Sequence, residues 1–256
     1  WEVSTALSAV IHRTQVESAA VRESFLQAAS FVGRDFEIGI LEKALHQATE
    51  GKGSGWLVGG ESGVGKSRLL DELRIRALVS GVQVVRGQAV EGDSSQYAMW
   101  RDVLRRLILA AEVSDLEASI LKPFVADIAD MLGRPIADPA ELPGDAGLRR
   151  LALTISDLLR RCPEPFLIIL EDLHWAEQSH ELIRQIATQL GEMPIMLVGT
   201  YRNDEAPDLT THLEGLKVIP LGRLDADAVM KLSEKMIGEA ANVPGVRELI
   251  AKETEG

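Results

Sequence analysis

The residues most able to do chemistry form one glycine-rich segment, residues 60–67. Its fixed positions, Gly60, Gly65, Lys66 and Ser67, fit the phosphate-loop pattern G-x-x-x-x-G-K-[ST]. Glycines let such a loop turn its N–H groups inward around an anion, and the next helix points the positive end of its dipole at the same place. We therefore expect the following residues to bind phosphates: Gly60, Glu61, Ser62, Gly63, Val64, Gly65, Lys66, Ser67 and Arg68.

Two side chains of this loop have separate expected tasks. Lys66 would reach the β and γ phosphates of ATP or ADP as a point charge, and the Ser67 hydroxyl would ligate Mg²⁺. A glycine-rich turn with an exposed lysine is the alternative. The apolar run before the loop and the amphipathic pattern after it favour the phosphate loop, because a strand and a helix must flank it.

An acidic pair, Glu171 and Asp172, directly follows the apolar run 166–170. P-loop ATPases complete their magnesium site with a carboxylate at the end of a second strand. Adjacent residues on a strand face opposite ways, so one acid would face the metal and the other the attacking water. We assign Glu171 to Mg²⁺ and Asp172 to water activation, and the reverse assignment stays open. The alternative is a solvated strand end.

Arg202 follows another apolar run, 195–198, and is a candidate contact for the γ-phosphate. A surface arginine paired with Asp204 or Glu205 explains the same spacing. Lys66, Glu171, Asp172 and Arg202 are thus the candidate catalytic residues. For His174 and Trp175, packing is favoured over catalysis.

Short apolar runs alternate with amphipathic segments, which predicts an α/β fold: a P-loop NTPase with a parallel sheet and helices on both faces. The expected strands lie at 56–58, 82–85, 166–170, 195–198 and 218–219. A helix should begin near Lys66 and bury Leu78 with its other leucines. Ser179 and Asp225 are the expected N-caps of two later helices.

The expected domain organisation has three parts. Residues 1–29 form a helical lead-in or linker, and 30–221 form the ATPase core, with a helical insertion at about 97–161. Residues 222–256 begin a helical lid that the chain does not complete, with a second lid helix starting near Pro244. Proline residues mark a loop within the insertion.

Composition limits the classes of partner. The net charge of −12 disfavours nucleic-acid binding through this chain, because no basic patch compensates for it. No apolar run approaches the roughly 18 residues that span a bilayer, so no membrane contact is expected. The one cysteine, Cys162, fits a reducing compartment, and we expect a cytoplasmic protein.

Four segments together resemble STAND-type and Orc/Cdc6-like ATPases of the AAA+ superclass. They are the FVGR segment at 31–34, the Walker A loop at 60–67, the sequence IILEDLHWAE at 168–177, which is close to a DDLHWAD Walker B signature, and VGTYR at 198–202. The resemblance implies that Phe31, Val32 and Arg34 lie beside the adenine and that Arg202 contacts the γ-phosphate. Glu171 and Glu177 depart from the commoner aspartates.

The resemblance also implies a function. In such proteins the ATPase is a signalling switch that binds ATP and ADP, hydrolyses slowly and self-associates in some cases. It is fused to a protein kinase, nucleotide cyclase or LuxR-type domain, with helical repeats downstream. The alternatives are a DNA-associated initiator or loader, a small-molecule kinase with an arginine-rich lid, and a nucleotide-binding scaffold that does not hydrolyse.

Overall fold

The computed structural model describes residues 31–92, 97–142, 145–242 and 245–246. The chain divides into two compact units: Glu37–Leu221, and Trp1–Phe36 together with Gly222–Gly256. The expected lead-in at 1–29 lies outside the described residues, as does most of the expected lid helix near Pro244. Within the part of the chain that is described, no helix combines the length and the apolar character needed to cross a membrane.

Five strands form the sheet of the larger unit: β1 Ser54–Gly59, β2 Gln83–Gln88, β3 Phe166–Glu171, β4 Ile195–Tyr201 and β5 Lys217–Pro220. All pairings are parallel, in the order β2-β3-β4-β1-β5. Every residue of β3 and β4 is buried, so both faces of the central sheet are covered. The predicted α/β P-loop fold is therefore confirmed.

The helices before the insertion are α1 Asp35–Thr49 and α2 Lys66–Val79. The insertion holds α3 Arg101–Ala110, α4 Asp115–Leu121, α5 Ile128–Leu132 and α6 Ala146–Arg161. The remaining helices are α7 Glu177–Ala187, α8 Leu209–His212 and, in the smaller unit, α9 Ala226–Ile237. Helix α1 buries one face at helical spacing, formed by Ile38, Leu41, Ala44, Leu45 and Ala48.

Two details of the sequence prediction are wrong. Leu78 is half exposed and Ala77 is buried in its place, because Ala77 lies four residues after the buried Leu73 and shares its helix face. Ser179 is not an N-cap. Helix α7 begins two residues earlier, and the Ser179 N–H donates to the Ala176 carbonyl in the first turn. The predicted N-cap Asp225 is confirmed, since its Oδ1 accepts from the Ala228 N–H at 2.7 Å.

The sheet brings three candidate segments to one edge. The loop 60–65 follows β1, Asp172 follows β3, and Arg202 follows β4. Strand β4 lies between β1 and β3, and the carboxyl ends of parallel strands meet at the same edge. Residues that are distant in sequence therefore lie beside one another at this edge.

Candidate nucleotide-binding site

The loop turns on two glycines with left-handed backbone. Gly63 has φ +82° and Gly65 has φ +98°, a region that side chains rarely tolerate. Gly65 is the N-cap residue of α2, and because glycine has no side chain, this helix starts without a side-chain cap. The first turn of the helix also contains no acidic residue. An anion is the natural partner of such a helix start, because the first N–H groups and the helix dipole both attract negative charge.

Gly60 is required for a different reason. A Cβ at this position would overlap the carbonyl oxygen of Leu221, which follows β5. The Leu221 N–H donates to the Gly59 carbonyl at 2.6 Å and fixes this close approach. The phosphate loop is thus held on one side by the main chain that leaves β5.

Lys66 is the first residue of α2, and its side chain reaches back to the start of the loop. It is buried, and its Nζ donates to the carbonyls of Gly60 and Glu61, at 2.7 Å each. Burial is the main cause that holds the pKa of Lys66 below its usual value, and the charge of Arg202 adds to it. The carboxylates of Asp172, Asp204 and Glu205 act in the opposite direction. Charges from the ends of β3 and β4 therefore act directly on the loop lysine.

The first acid, Glu171, is committed to an ion pair. Its side chain is only 3% exposed and accepts a hydrogen bond from Nε of Arg86 on β2. The same guanidinium lies 3.1 Å from Oδ1 of Asp71 on α2. The hydrogen bond with Glu171 raises the pKa of Arg86. Glu171 thus ties β3 to β2, and through Arg86 to the helix that follows the phosphate loop.

The second acid, Asp172, leaves the strand in a left-handed conformation with φ +58°. The two acids therefore do not lie along one strand, as the sequence interpretation assumed, because β3 ends at Glu171. The Asp172 N–H donates to Oγ1 of Thr200, and its Oδ2 accepts from Nε2 of Gln88, both at 3.1 Å. Its carboxylate raises the pKa of Lys66, and so its charge reaches the phosphate loop.

Arg202 is paired at the end of β4, as one of the two sequence interpretations expects. Its NH1 donates to Oε1 of Glu205, and its guanidinium carbon lies 5.3 Å from the centre of the Trp175 ring. A cation over an indole face is held by the ring quadrupole. The pairing does not remove Arg202 from the site, because its charge also lowers the pKa of Lys66.

His174, for which the sequence favours packing, joins the same group of side chains through a contact with Glu205 that the sequence did not predict. Its side chain is 1% exposed, and its ring centre lies 4.6 Å from that of Trp175. Its Nε2 lies 3.4 Å from Oε2 of Glu205, and neither ring nitrogen makes a hydrogen bond within the described residues. Burial is the main cause that lowers the pKa of His174. The sequence signal was the LHWA segment.

The expected adenine contacts lie in the smaller unit. Arg34 is buried, and its NH2 donates to the carbonyl of Gly222. Gly33 has φ +73°, and a Cβ there would overlap the side chain of Ala228 on α9. The contacts of Phe31, Val32 and Arg34 with a base stay predictions.

The polar groups fit a cation that is shared with phosphate. Ser67 is exposed at the start of α2. Across residues 31–246, apart from the undescribed positions, no three His, Cys, Asp or Glu side chains cluster as a metal site. Mg²⁺ is usually held by one or two protein oxygens plus phosphate oxygens and water, and the Ser67 hydroxyl and the Asp172 carboxylate are oxygen ligands of that kind.

The fold and the loop define a P-loop nucleotide-binding protein. The AAA ATPase domain family matches residues 30–198, which is more than half of the chain. The chain therefore belongs to the AAA ATPase domain family.

The similarity to individual proteins is low in sequence identity or covers only part of their length. An uncharacterized protein of Rhizobium meliloti (strain 1021) is 27% identical over 203 residues, which is 69% of this chain and 19% of that protein. The chain thus spans about a fifth of the length of this relative.

The chain is also similar to solved structures. AMPPCP-bound DnaA from Aquifex aeolicus has a TM-score of 0.47 at 14% identity, covering 86% of this chain and 57% of that one. The Aeropyrum pernix Orc1 protein in complex with DNA has a TM-score of 0.42 at 18% identity, covering 82% and 50%.

Proposed function

We propose that this chain binds ATP with Mg²⁺, hydrolyses it slowly and acts as a nucleotide-dependent switch. The observation that carries the proposal is the phosphate loop: two left-handed glycines, an uncapped helix start and a buried lysine whose Nζ bridges two loop carbonyls. These features suit a polyphosphate, because N–H groups and one ammonium group converge on it.

Lys66 would exchange its two carbonyl partners for phosphate oxygens. Gly60 and Glu61 hold its ammonium group within the loop at 2.7 Å, so a bound phosphate replaces hydrogen bonds that already orient the side chain. A charge-assisted bond to phosphate is stronger than one to a neutral carbonyl. Binding would therefore depend steeply on Lys66, whereas an exposed lysine such as Lys43 would contribute nothing.

Asp172, rather than Glu171, would supply the carboxylate that faces the phosphates. The Glu171 carboxylate is almost fully buried and already paired with Arg86, so it is less available to a metal. Ser67 and Asp172 would hold Mg²⁺, whose bound charge neutralises the β and γ phosphates. This assignment is the reverse of the one that the sequence favours. If Asp172 holds the metal, neither acid of the pair is left to activate water, which is consistent with slow hydrolysis.

The switch would rest on the terminal phosphate. Arg202 would contact that phosphate in ATP and return to Glu205 with ADP, so the two nucleotides would leave different side-chain arrangements at the end of β4. In the resembling proteins such a domain works inside a longer cytoplasmic chain. We propose the same setting here, with a fused kinase, cyclase or LuxR-type domain, downstream helical repeats and nucleotide-dependent self-association.

The arginines of the insertion do not favour a small-molecule kinase. Arg105 pairs with Asp127, and Arg106 donates to the side chain of Gln83. Arg150 donates to the carbonyl of Ala140. These side chains bind the chain's own surface, whereas a kinase lid would direct them at transferred phosphate.

The test is ATP turnover by the wild type and matched variants, with and without duplex DNA. We expect slow turnover that Lys66→Ala and Asp172→Asn abolish, and that the exposed control Lys43→Ala leaves unchanged. Glu171→Gln should lower stability more than turnover. Stimulation by DNA would support an initiator or loader instead. Tight binding without turnover would support a scaffold, and turnover that survives Lys66→Ala would reject the proposed site.

A further inference from the structure

The side chains around Arg202 form a closed group at the end of β4. Its guanidinium is bound by Glu205 on one side and lies over the Trp175 ring on the other. His174 completes the group, since its ring lies against Trp175 and its Nε2 faces Oε2 of Glu205 at 3.4 Å. The two oxygens of Glu205 thus face different partners, Arg202 and His174.

His174 is an unusual residue to bury in this way. Its side chain is 1% exposed, and both ring nitrogens lack hydrogen-bond partners within the described residues. An unpaired polar atom in a protein interior lowers stability, so an apolar residue would pack here at lower cost. A buried histidine at this position is explained if its imidazole gains a hydrogen-bond partner when the protein functions. Glu205 is the acceptor within reach, 3.4 Å from Nε2.

We propose that His174 is a positioning residue for Arg202 that acts through Glu205. This inference rests on the proposed function, in which Arg202 contacts the terminal phosphate. When the guanidinium turns from Glu205 to phosphate, the carboxylate loses its charged partner, and the His174 imidazole N–H takes up the hydrogen bond. His174 therefore lowers the cost of releasing Arg202 and strengthens the preference for triphosphate over diphosphate.

The geometry already provides for this exchange, since Nε2 of His174 lies 3.4 Å from Oε2 of Glu205. A neutral imidazole can donate from Nε2 to Glu205 without a change of protonation, so the exchange needs only a small movement of the carboxylate.

The experiment measures equilibrium affinities of the 256-residue chain for the Mg²⁺ complexes of AMPPNP and ADP. Arg202→Ala should lower the preference for AMPPNP by about tenfold, because a charge-assisted contact is lost. His174→Ala should lower it by about fivefold, with ADP affinity nearly unchanged. His174→Gln should restore most of the preference, since its amide retains an N–H donor. The exposed control His46→Ala should change neither affinity.

A double variant separates positioning from packing. If His174 acts through Arg202, His174→Ala in an Arg202→Ala background should produce no further loss of preference. Equal losses of AMPPNP and ADP affinity in His174→Ala, or full additivity with Arg202→Ala, would overturn the inference and assign His174 to packing.

The outcomes also separate this inference from the proposed function. If the wild type binds AMPPNP, Lys66→Ala does not, and His174→Ala keeps the wild-type preference, only the role of His174 is rejected. If the folded wild type binds neither nucleotide, both the proposed function and the role of His174 are rejected. Circular dichroism of each variant shows whether it is folded.

Discussion

Removing Arg86 should destabilise the chain by leaving the Glu171 carboxylate buried without its partner. The Glu171 side chain is 3% exposed, whereas that of Arg86 is 41% exposed. Breaking a fully buried ion pair costs about 3–5 kcal/mol. Because water reaches the Arg86 side of this pair and weakens the interaction, we expect Arg86→Ala to lower the free energy of unfolding by about 2–3 kcal/mol.

The assay is urea unfolding followed by circular dichroism, with the slope m compared between variants to verify a common unfolding transition. Arg184→Ala is the matched control, because Arg184 pairs with Glu181 on the exposed face of α7. It should cost much less than Arg86→Ala, because water screens an exposed pair. Adding Glu171→Leu to Arg86→Ala removes the stranded charge and should recover roughly half of the loss.

Two results would refute this reasoning. One is an Arg86→Ala variant as stable as Arg184→Ala. The other is a double variant that recovers nothing, since the loss would then come from packing of the Arg86 stem and not from the unpaired carboxylate.

Two further predictions follow from the loop and the buried histidines. Gly65→Ala should abolish nucleotide binding, because a Cβ strains the backbone at φ +98°. The same strain should lower the free energy of unfolding in urea by about 1 kcal/mol. A Gly65→Ala variant with wild-type nucleotide affinity would contradict this prediction. Burial lowers the pKa of His174 and of His180 from the usual 6.5, so the unfolded chain binds protons more readily, and the free energy of unfolding should decrease as pH falls through 6.5. His174→Gln with His180→Gln should flatten this dependence, whereas His46→Gln should leave it unchanged.

The sequence predicted the parts of the fold that depend on local patterns. Strand β3 begins with the apolar run 166–170 and strand β4 with the apolar run 195–198, so their burial on both faces could be predicted from these runs. The phosphate loop could be predicted because its glycines and lysine are adjacent in the chain.

Local patterns failed where tertiary contacts decide the structure. The edge strand β2 continues to Gln88, although Arg86 and Gly87 interrupt its apolar run. Arg86 pairs with Glu171, which lies 85 residues later in the sequence. Position 87 needs glycine because a Cβ there would overlap the Met99 carbonyl. No spacing rule identifies either partner.

The acidic pair shows the same limit within the candidate site. Two adjacent carboxylates gave no indication of which one a distant arginine binds, so the sequence assigned the metal to Glu171. The left-handed turn at Asp172 also had no local signal, since non-glycine residues rarely adopt it. The surroundings of each acid, rather than its position in the motif, support our proposal that Asp172 and not Glu171 faces the phosphates.

The most direct measurement is isothermal titration of the folded chain with ATP in the presence of Mg²⁺. We expect saturable binding by the wild type and by Lys43→Ala, and none by Lys66→Ala at the same concentrations. Equal binding by the wild type and Lys66→Ala, or no heat with the folded wild type at several temperatures, would contradict it.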